Sequence, residues 1–483
     1  MPSDRQPWWQ RAVIYQLYIR SFADSDDDGV GDLRGILERL DYLQWLGVDA
    51  LWLSPVTVSP DKDFGYDVAD YLDVQPGFGT LETFDELVEE ARRRDMTIIL
   101  DLVPNHTSDQ HPWFQEARES RDAPRRDWYV WRDPKPDGSP PNNWVSSFGG
   151  GAAWTLDPQT GQMYQHSFLP EQPDLNWWNE EVRAAIDDVM RFWFDRGVAG
   201  FRLDVAHAIV KDRELRDRPP GTETHVLVDV DETFAVLRRW RKLAEGYEPE
   251  RILLGETWVM DLARLVGFYG SGSDQLHLAF NFPFLFAPLD AAALRSVVER
   301  MEELLPSGAW PAWALSNHDT ARFPTRMCDN DERKARAALL ALLTQRGTPV
   351  LYQGDELAMR QVDIPPERIL DVDGRDGART PIPWNGGWTN PWLPVGDIVP
   401  PVAAQREDPV SFLSFCRELI ARRRASSDLL EGDYETVACP PGVWAYRRGE
   451  GTVIAINLSG NPVEIDVGGK RRLAPWEGVV LDV

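Results

Sequence analysis

Up to about residue 356 the chain alternates between short apolar runs and longer amphipathic stretches. The runs are AVIYQLYI (12–19), DALWLSP (49–55), TIILDLVPNH (97–106), GFRLDV (200–205), ILLGET (252–257), LHLAFNF (276–282), AWALSNHD (312–319) and TPVLYQGDE (348–356). Their length and their Val, Ile, Leu and aromatic content predict eight β-strands. Between them, DLRGILERLDYLQWLG (32–47), TLETFDELVEEARRRD (80–95) and DERKARAALLALLTQRG (331–347) carry apolar residues at i, i+3, i+4 spacing, and two end near Gly. These predict helices. Strands that are mostly apolar along their length, not alternating, belong to a parallel sheet buried on both faces. Eight strand–helix units suit a closed (β/α)8 TIM barrel better than an open sheet.

Two gaps are too long for simple loops. The first, 105–176, follows the third strand and holds Trp113, Trp128, Trp131, Trp144 and Trp154. Inserted at the strand ends, it should form a lid or side wall. The second, about 357–409, is rich in Pro, Gly and Trp. After a helical stretch at 411–425, the remaining residues read as short strands joined by Gly, Asn and Pro turns. The predicted organisation is therefore a barrel begun by 1–104, an inserted domain at 105–176, the rest of the barrel at 177–428, and a C-terminal antiparallel β domain at 429–483. That last domain is expected to pack on the barrel.

Composition adds limits. The 43% hydrophobic and 27% charged content is that of a globular protein. A net charge of -27 argues against nucleic acid or an anionic membrane as partner. Cys328, Cys416 and Cys439 have neither metal spacing nor an even count for disulfides. No apolar signal core and no run of about 18 apolar residues is present. A reducing cytoplasm is the expected compartment.

Three segments, GFRLDVAH (200–207), LLGETWV (253–259) and ALSNHDTAR (314–322), carry an acid where the buried strand should run out: Asp204, Glu256 and Asp319. One such acid reads as a cap for the following helix. Three, on parallel strands ending at one face, converge. Converging carboxylates in an aromatic-rich chain suggest glycoside chemistry, which pairs a nucleophile with an acid/base. Arg202, two positions before Asp204, points to the same side of the strand and can hold that acid ionised. Glu256 ends a more apolar strand with Trp258 two residues on, a setting that raises a carboxyl pKa as a general acid requires. His318 beside Asp319 can help grip hydroxyls, and His106 ends a strand on the same face. Separately, ADSDDDGVGD (23–32) places Asp24, Asp26 and Asp28 at alternate positions, with Asp32 following, around Gly29 and Gly31. This is similar to the start of a Ca²⁺ loop, with the Val30 carbonyl as a further oxygen, but it lacks the bidentate Glu at the twelfth position.

Taken together these motifs resemble glycoside hydrolase family 13, the α-amylase family, over nearly the whole chain. DLVPNH, GFRLDVAH, LLGETW and LSNHD look like its four conserved regions in order. The resemblance implies Asp204 as nucleophile, Glu256 as acid/base and Asp319 as transition-state stabiliser, with His106, Arg202 and His318 lining the first sugar subsite. QPDLN (172–176), FGYD (64–67) and GARTPIPW (377–384) are similar to markers of the oligo-1,6-glucosidase and α-glucosidase branch. They imply Tyr66 as a stacking platform and Asp67 as a hydroxyl ligand paired with Arg379. That pair would close the pocket for exo action. The same branch implies a structural Ca²⁺ held by Asp24, Asp26, Asp28, the Val30 carbonyl and Asp32.

Val205, after the nucleophile, often accompanies α-1,6 preference in the family. Ala206-His207 departs from that pattern and looks more like bacterial α-glucosidases that accept maltose. The expected enzyme is thus a retaining exo-α-glucosidase for short, maltose-type α-1,4 glucosides, a monomer or homodimer, with sugar or alcohol acceptors as further partners. An oligo-1,6-glucosidase and a transglucosylase or glucoside isomerase of trehalose synthase type remain open. A non-catalytic ancillary subunit is disfavoured, because all three acids are present and no membrane anchor is seen.

Overall fold

A computed structural model describes residues 6–222, 224–385, 388–396 and 399–482. All eight apolar runs contribute to one sheet. Its strands are β1 (Ile14–Leu17), β2 (Ala50–Leu53), β3 (Thr97–Leu102), β4 (Gly200–Leu203), β5 (Ile252–Gly255), β6 (Leu278–Ala279), β7 (Ala312–Ala314) and β8 (Thr348–Tyr352). Neighbours pair in parallel in the spatial order β6-β5-β4-β3-β2-β1-β8-β7. A parallel bridge from Phe280 to Ala312 joins the two ends and closes the barrel.

Closure sorts the side chains by parity, because alternate residues of a strand face opposite ways. Ile14, Ala50, Trp52, Ile99, Ile252, Leu254, Ala312 and Val350 form one buried cluster, the lumen. Tyr15, Leu51, Leu53, Ile98, Leu100 and Phe201 belong to the larger cluster between strands and helices. Gly200 is forced by this packing: a Cβ there would lie 2.4 Å from Ile252 Cγ1. The surrounding helices follow the apolar periodicity. Leu33–Leu46 is capped by Asp32 and stopped by Gly47 at φ +96°, and Leu81–Arg93 is capped by Thr80. Among the described residues, no helix is long and apolar enough to cross a membrane.

The 105–176 segment builds a small antiparallel sheet from Trp131–Arg132, Met163–Gln165 and Trp154–Leu156. Its Trp144 and Trp154 pack with Ala153, Met163 and Val226 in a separate small core, while Trp128 and Trp131 join the main core. At the other end, Tyr434–Val437, Val443–Arg448, Thr452–Asn457 and Gly478–Asp482 make a four-stranded antiparallel sheet. It docks on helix Glu332–Thr344: the buried Arg448 donates to the Thr344 carbonyl at 2.7 Å.

Candidate active site

At the C-terminal end of the lumen the apolar parity turns polar: Ile14 gives way to Gln16, Ile99 to Asp101, Gly200 to Arg202. Asp204 and Glu256 are the first residues past β4 and β5. Arg202 is the hub. Its Nη1 donates to Asp101 Oδ1 at 2.8 Å and to Asp204 Oδ1 at 2.7 Å, and its Nη2 lies 3.0 Å from Glu256 Oε2. One planar fork thereby holds Asp204 and Glu256 side by side. Val205 adds a second tether: it sits in the left-handed region at φ +49°, unusual for a β-branched residue, and its N–H donates to Glu256 Oε2 at 2.8 Å.

This crowd of charge shifts the acids. Burial pushes Asp101 up to about 6, with Arg202 and a hydrogen bond from the Tyr66 hydroxyl opposing. Burial also pushes Asp204 up; Arg202 opposes, while the Glu256 and Asp101 charges add to the rise. Arg202 sits beside Asp204 as the spacing predicts, but one guanidinium faces three carboxylates, so its support for the ionised form of Asp204 is opposed by burial and by the neighbouring acids. The expected apolar setting of Glu256 is corrected too. Its carboxylate is gripped by Arg202 and by a backbone N–H, and Trp258 is 44% exposed.

Asp319 is the opposite case. Burial works against its charge, but the Arg375 and Arg379 guanidiniums outweigh it and hold the carboxyl well below the usual range. Its Oδ1 lies 3.3 Å from Arg375 Nη1 and accepts from Arg379 Nη2 at 3.1 Å, and its Oδ2 lies 3.2 Å from His318 Nε2. Burial pushes His318 down to about 3, so its ring is neutral. That ring stacks on Tyr66, centroids 5.4 Å apart, and its Nε2 lies 2.6 Å from the Tyr66 hydroxyl.

The closing pair is not the one expected. Asp67 is buried with its carboxylate turned inward, accepting from the Ser59 hydroxyl at 2.8 Å, Lys62 N at 2.9 Å and Asp63 N at 2.9 Å. Burial pushes it up to about 6. Arg379 donates to the His318 carbonyl and to Asp319, at 2.9 and 3.1 Å. The acid and base that meet are Asp63 and Arg375, at 2.7 Å, with Asp371 2.6 Å from the same guanidinium. Gln172 of QPDLN bridges this pair to His106, donating to Asp63 Oδ2 at 3.0 Å with His106 Nε2 also at 3.0 Å. Asp174 of the same motif pairs with buried Lys211 at 3.1 Å, which ties the inserted segment to the loop after β4. Asp63, Tyr66, His106, Asp204, Glu256, Asp319 and Arg375 all line one cavity of about 760 Å³. The insertion contributes Phe148 and Phe168 to its wall.

A family model described as alpha amylase, catalytic domain, matches residues 16–432. The chain belongs to the α-amylase family. A probable alpha-glucosidase of Rhizobium meliloti (strain 1021) is 42% identical, over 98% of this chain and 93% of the relative. An oligo-1,6-glucosidase of Heyndrickxia coagulans is 37% identical, over 95% of this chain and 93% of the relative. The solved structure of XgtA, an alpha-glucosyl transfer enzyme, superposes with a TM-score of 0.93 at 39% identity, covering 99% of both chains. This α-amylase-family member is a glycoside hydrolase of the oligo-1,6-glucosidase and α-glucosidase branch.

Four residues of this α-amylase-family site escaped the sequence reading. Asp63 lies four positions before Asp67 in DFGYD, and Arg375 lies four before Arg379 in GRDGAR; in each pair spacing alone does not say which member faces the cavity. Asp101 carried a signal: a lone acid inside the apolar strand TIILDL. Gln172 stood in a motif already singled out. In the acidic loop, one carboxylate oxygen each from Asp24, Asp26 and Asp28 lies within 4.8 Å of the others, which fits a cation. Asp32 is occupied differently, capping the following helix through Gly35 N at 2.7 Å and accepting from Ser25 N at 2.8 Å. Val30 donates its N–H to Asp28 Oδ1 at 2.7 Å.

Proposed function

We propose that this glycoside hydrolase is a retaining, exo-acting α-glucosidase for short α-glucosides, with maltose-type α-1,4 linkages favoured. The observation that carries the reading is the Arg202 fork, which sets Asp204 and Glu256 next to each other. Retaining glycosidases use carboxyl groups about 5–5.5 Å apart, whereas inverting enzymes leave room for a water between them. The Asp63–Arg375 ion pair, which lines the same cavity, supports exo action as the pair that would close the cavity beyond the first sugar.

In this mechanism Glu256 gives its proton to the glycosidic oxygen while an Asp204 oxygen attacks the anomeric carbon. The bond to the leaving oxygen breaks, its electron pair stays with that oxygen, and a β-glucosyl ester of Asp204 forms. The Glu256 carboxylate then takes a proton from water, whose oxygen attacks the same carbon and frees Asp204. With Glu256 acting as the acid, its proton also relieves Asp204 of a like charge. Asp319, held ionised, opposes the positive charge that develops on the sugar.

Transfer to a sugar or alcohol hydroxyl in place of water is a second outcome of the same ester, supported by the similarity to a structure described as an alpha-glucosyl transfer enzyme. Asp24, Asp26 and Asp28 would hold a Ca²⁺ that supplies charge compensation to the loop ahead of the first barrel helix, with the Val30 carbonyl and Asp32 completing the set by resemblance. A cytoplasmic location fits three cysteines that are all free.

The test is separate incubation with maltose, isomaltose, sucrose and trehalose, following products over time. Glucose from maltose with little from isomaltose supports the reading. Isomaltose as the better substrate makes the chain an oligo-1,6-glucosidase. Rearranged or longer sugars in place of glucose make transfer or isomerisation the main activity.

A further inference from the structure

The His318 ring sits in a slot that stacking fills but does not orient. Tyr66 lies parallel to it at 5.4 Å, Tyr18 stacks at 5.7 Å, and Trp52 meets it edge-on at 6.2 Å. These contacts fix the plane of the imidazole. They are blind to a half-turn about Cβ–Cγ and to which nitrogen holds the proton. Hydrogen bonds decide both. Nε2 lies 2.6 Å from the Tyr66 hydroxyl and 3.2 Å from Asp319 Oδ2. The Tyr66 O–H is already spent, donating to Asp101 Oδ2 at 2.8 Å, so its oxygen offers only lone pairs. Asp319, held ionised, can only accept. Nε2 therefore carries the proton. Burial keeps the ring neutral, with Arg379, Arg202 and Arg375 acting in the same direction and Asp319 against it. Nδ1 is then bare and needs a donor. It has one in Gln16, fully buried on β1, whose Nε2 lies 2.7 Å away.

We infer that Gln16 is a positioning residue: its amide fixes His318 as the Nε2–H tautomer and so sets the direction of a hydrogen-bonded chain that ends at the catalytic acids. The chain runs from Gln16 to His318, from His318 to Tyr66 and from Tyr66 to Asp101, whose Oδ1 accepts from Arg202 at 2.8 Å. Arg202 in turn holds Asp204 and Glu256. Which nitrogen of a histidine is protonated follows from the bond that the other one makes. With the opposite tautomer, a bare Nε2 would face the Asp319 carboxylate and draw the Tyr66 O–H away from Asp101. Gln16 touches neither substrate nor reacting atoms; it acts through His318. The kinetic part of the test rests on the α-glucosidase reading above.

The first measurement needs no variant of Gln16. A ¹⁵N spectrum of the full chain with labelled histidine, assigned by the signals lost in His318→Gln, should show a protonated Nε2 and a bare Nδ1 at neutral pH. A protonated Nδ1 overturns the inference. The second measurement is kcat/KM on an aryl α-glucoside across pH, with melts to confirm folding. Gln16→Met keeps the volume, removes the donor and should lower kcat/KM about ten- to hundred-fold at every pH. Gln16→Glu should behave differently. At low pH the Glu–His318 pair holds two protons, one between the carboxyl and Nδ1 and one on Nε2, so activity approaches that of the parent. As pH rises the pair loses one proton, the carboxylate keeps the other at Nδ1, and the ratio to the parent falls to that of Gln16→Met. A parental kcat/KM for a folded Gln16→Met, or a Gln16→Glu ratio that does not change with pH, overturns the inference. A parent that turns over no α-glucoside overturns the α-glucosidase reading instead, and the ¹⁵N spectrum still decides the tautomer.

Discussion

Replacing Asp63 by Ala separates the two candidate acids of the DFGYD loop. Asp63 holds Arg375 at 2.7 Å and accepts from Gln172 at 3.0 Å. After Asp63→Ala, Arg375 still has Asp371 at 2.6 Å and Asp319 at 3.3 Å. No buried charge is orphaned, so the ~3–5 kcal/mol cost of breaking an isolated buried pair does not arise. The loss should fall on substrate. Two sugar hydroxyls bound to a charged acceptor contribute about 1.5–2 kcal/mol each, and losing them lowers kcat/KM about 10²- to 10³-fold. Asp67→Ala behaves otherwise: it strands three donors from Ser59, Lys62 and Asp63. At roughly 1 kcal/mol or more per donor, and about 1 kcal/mol per kelvin for a chain of this length, Tm falls by about 3–5 °C. The assay is initial-rate glucose release from maltose or an aryl α-glucoside, paired with thermal melts. If Asp63→Ala kept kcat/KM within about three-fold of the parent while Asp67→Ala abolished activity at an unchanged Tm, the assignment would be wrong and Asp67 would be the sugar ligand.

Three more outcomes are expected. Asp204→Asn should lower kcat by ~10³-fold or more with a parental melting curve, because the amide cannot form the ester; near-parental turnover would remove Asp204 as nucleophile. Chelation should lower Tm if the Asp24–Asp26–Asp28 loop holds calcium; an unchanged melt together with no bound metal by elemental analysis counts against it. Burial pushes Asp355 up to about 7 from an ordinary value of 3.8, despite Arg322. Between those values the unfolded chain releases a proton that the folded protein keeps. The contribution of Asp355 is therefore complete below about 4 and is lost as pH rises towards 7. Asp355→Asn should flatten that part of a denaturation-against-pH series; identical slopes would mean the carboxyl is ionised in the fold.

The barrel was legible from residue order because its cause is local. A strand buried on both faces has to be apolar along its length, and eight such runs separated by 3.6-period stretches leave few ways to hide them. The strand-end acids were legible for the same reason: where β4, β5 and β7 stop being apolar, Asp204, Glu256 and Asp319 follow. Which neighbour of a pair enters the cavity was not legible. Asp63 and Asp67 lie in one loop, and backbone turns at Phe64 (φ +49°) and Gly65 (φ +106°) decide that the first faces Arg375 and the second its own loop. Arg375 and Arg379 are separated by a single short turn, Asp376–Ala378, so that the first reaches Asp63 and the second the His318 carbonyl. The charge state of the acids was out of reach as well. It depends on three carboxylates from β3, β4 and β5 meeting one guanidinium, a sum over strands about 50 to 100 residues apart in sequence. Sequence by itself determined the barrel and the acids that end its strands, because burial acts on each strand separately. Tertiary structure decided the partners of those acids, because electrostatics and hydrogen bonding act across the strands once the barrel has closed.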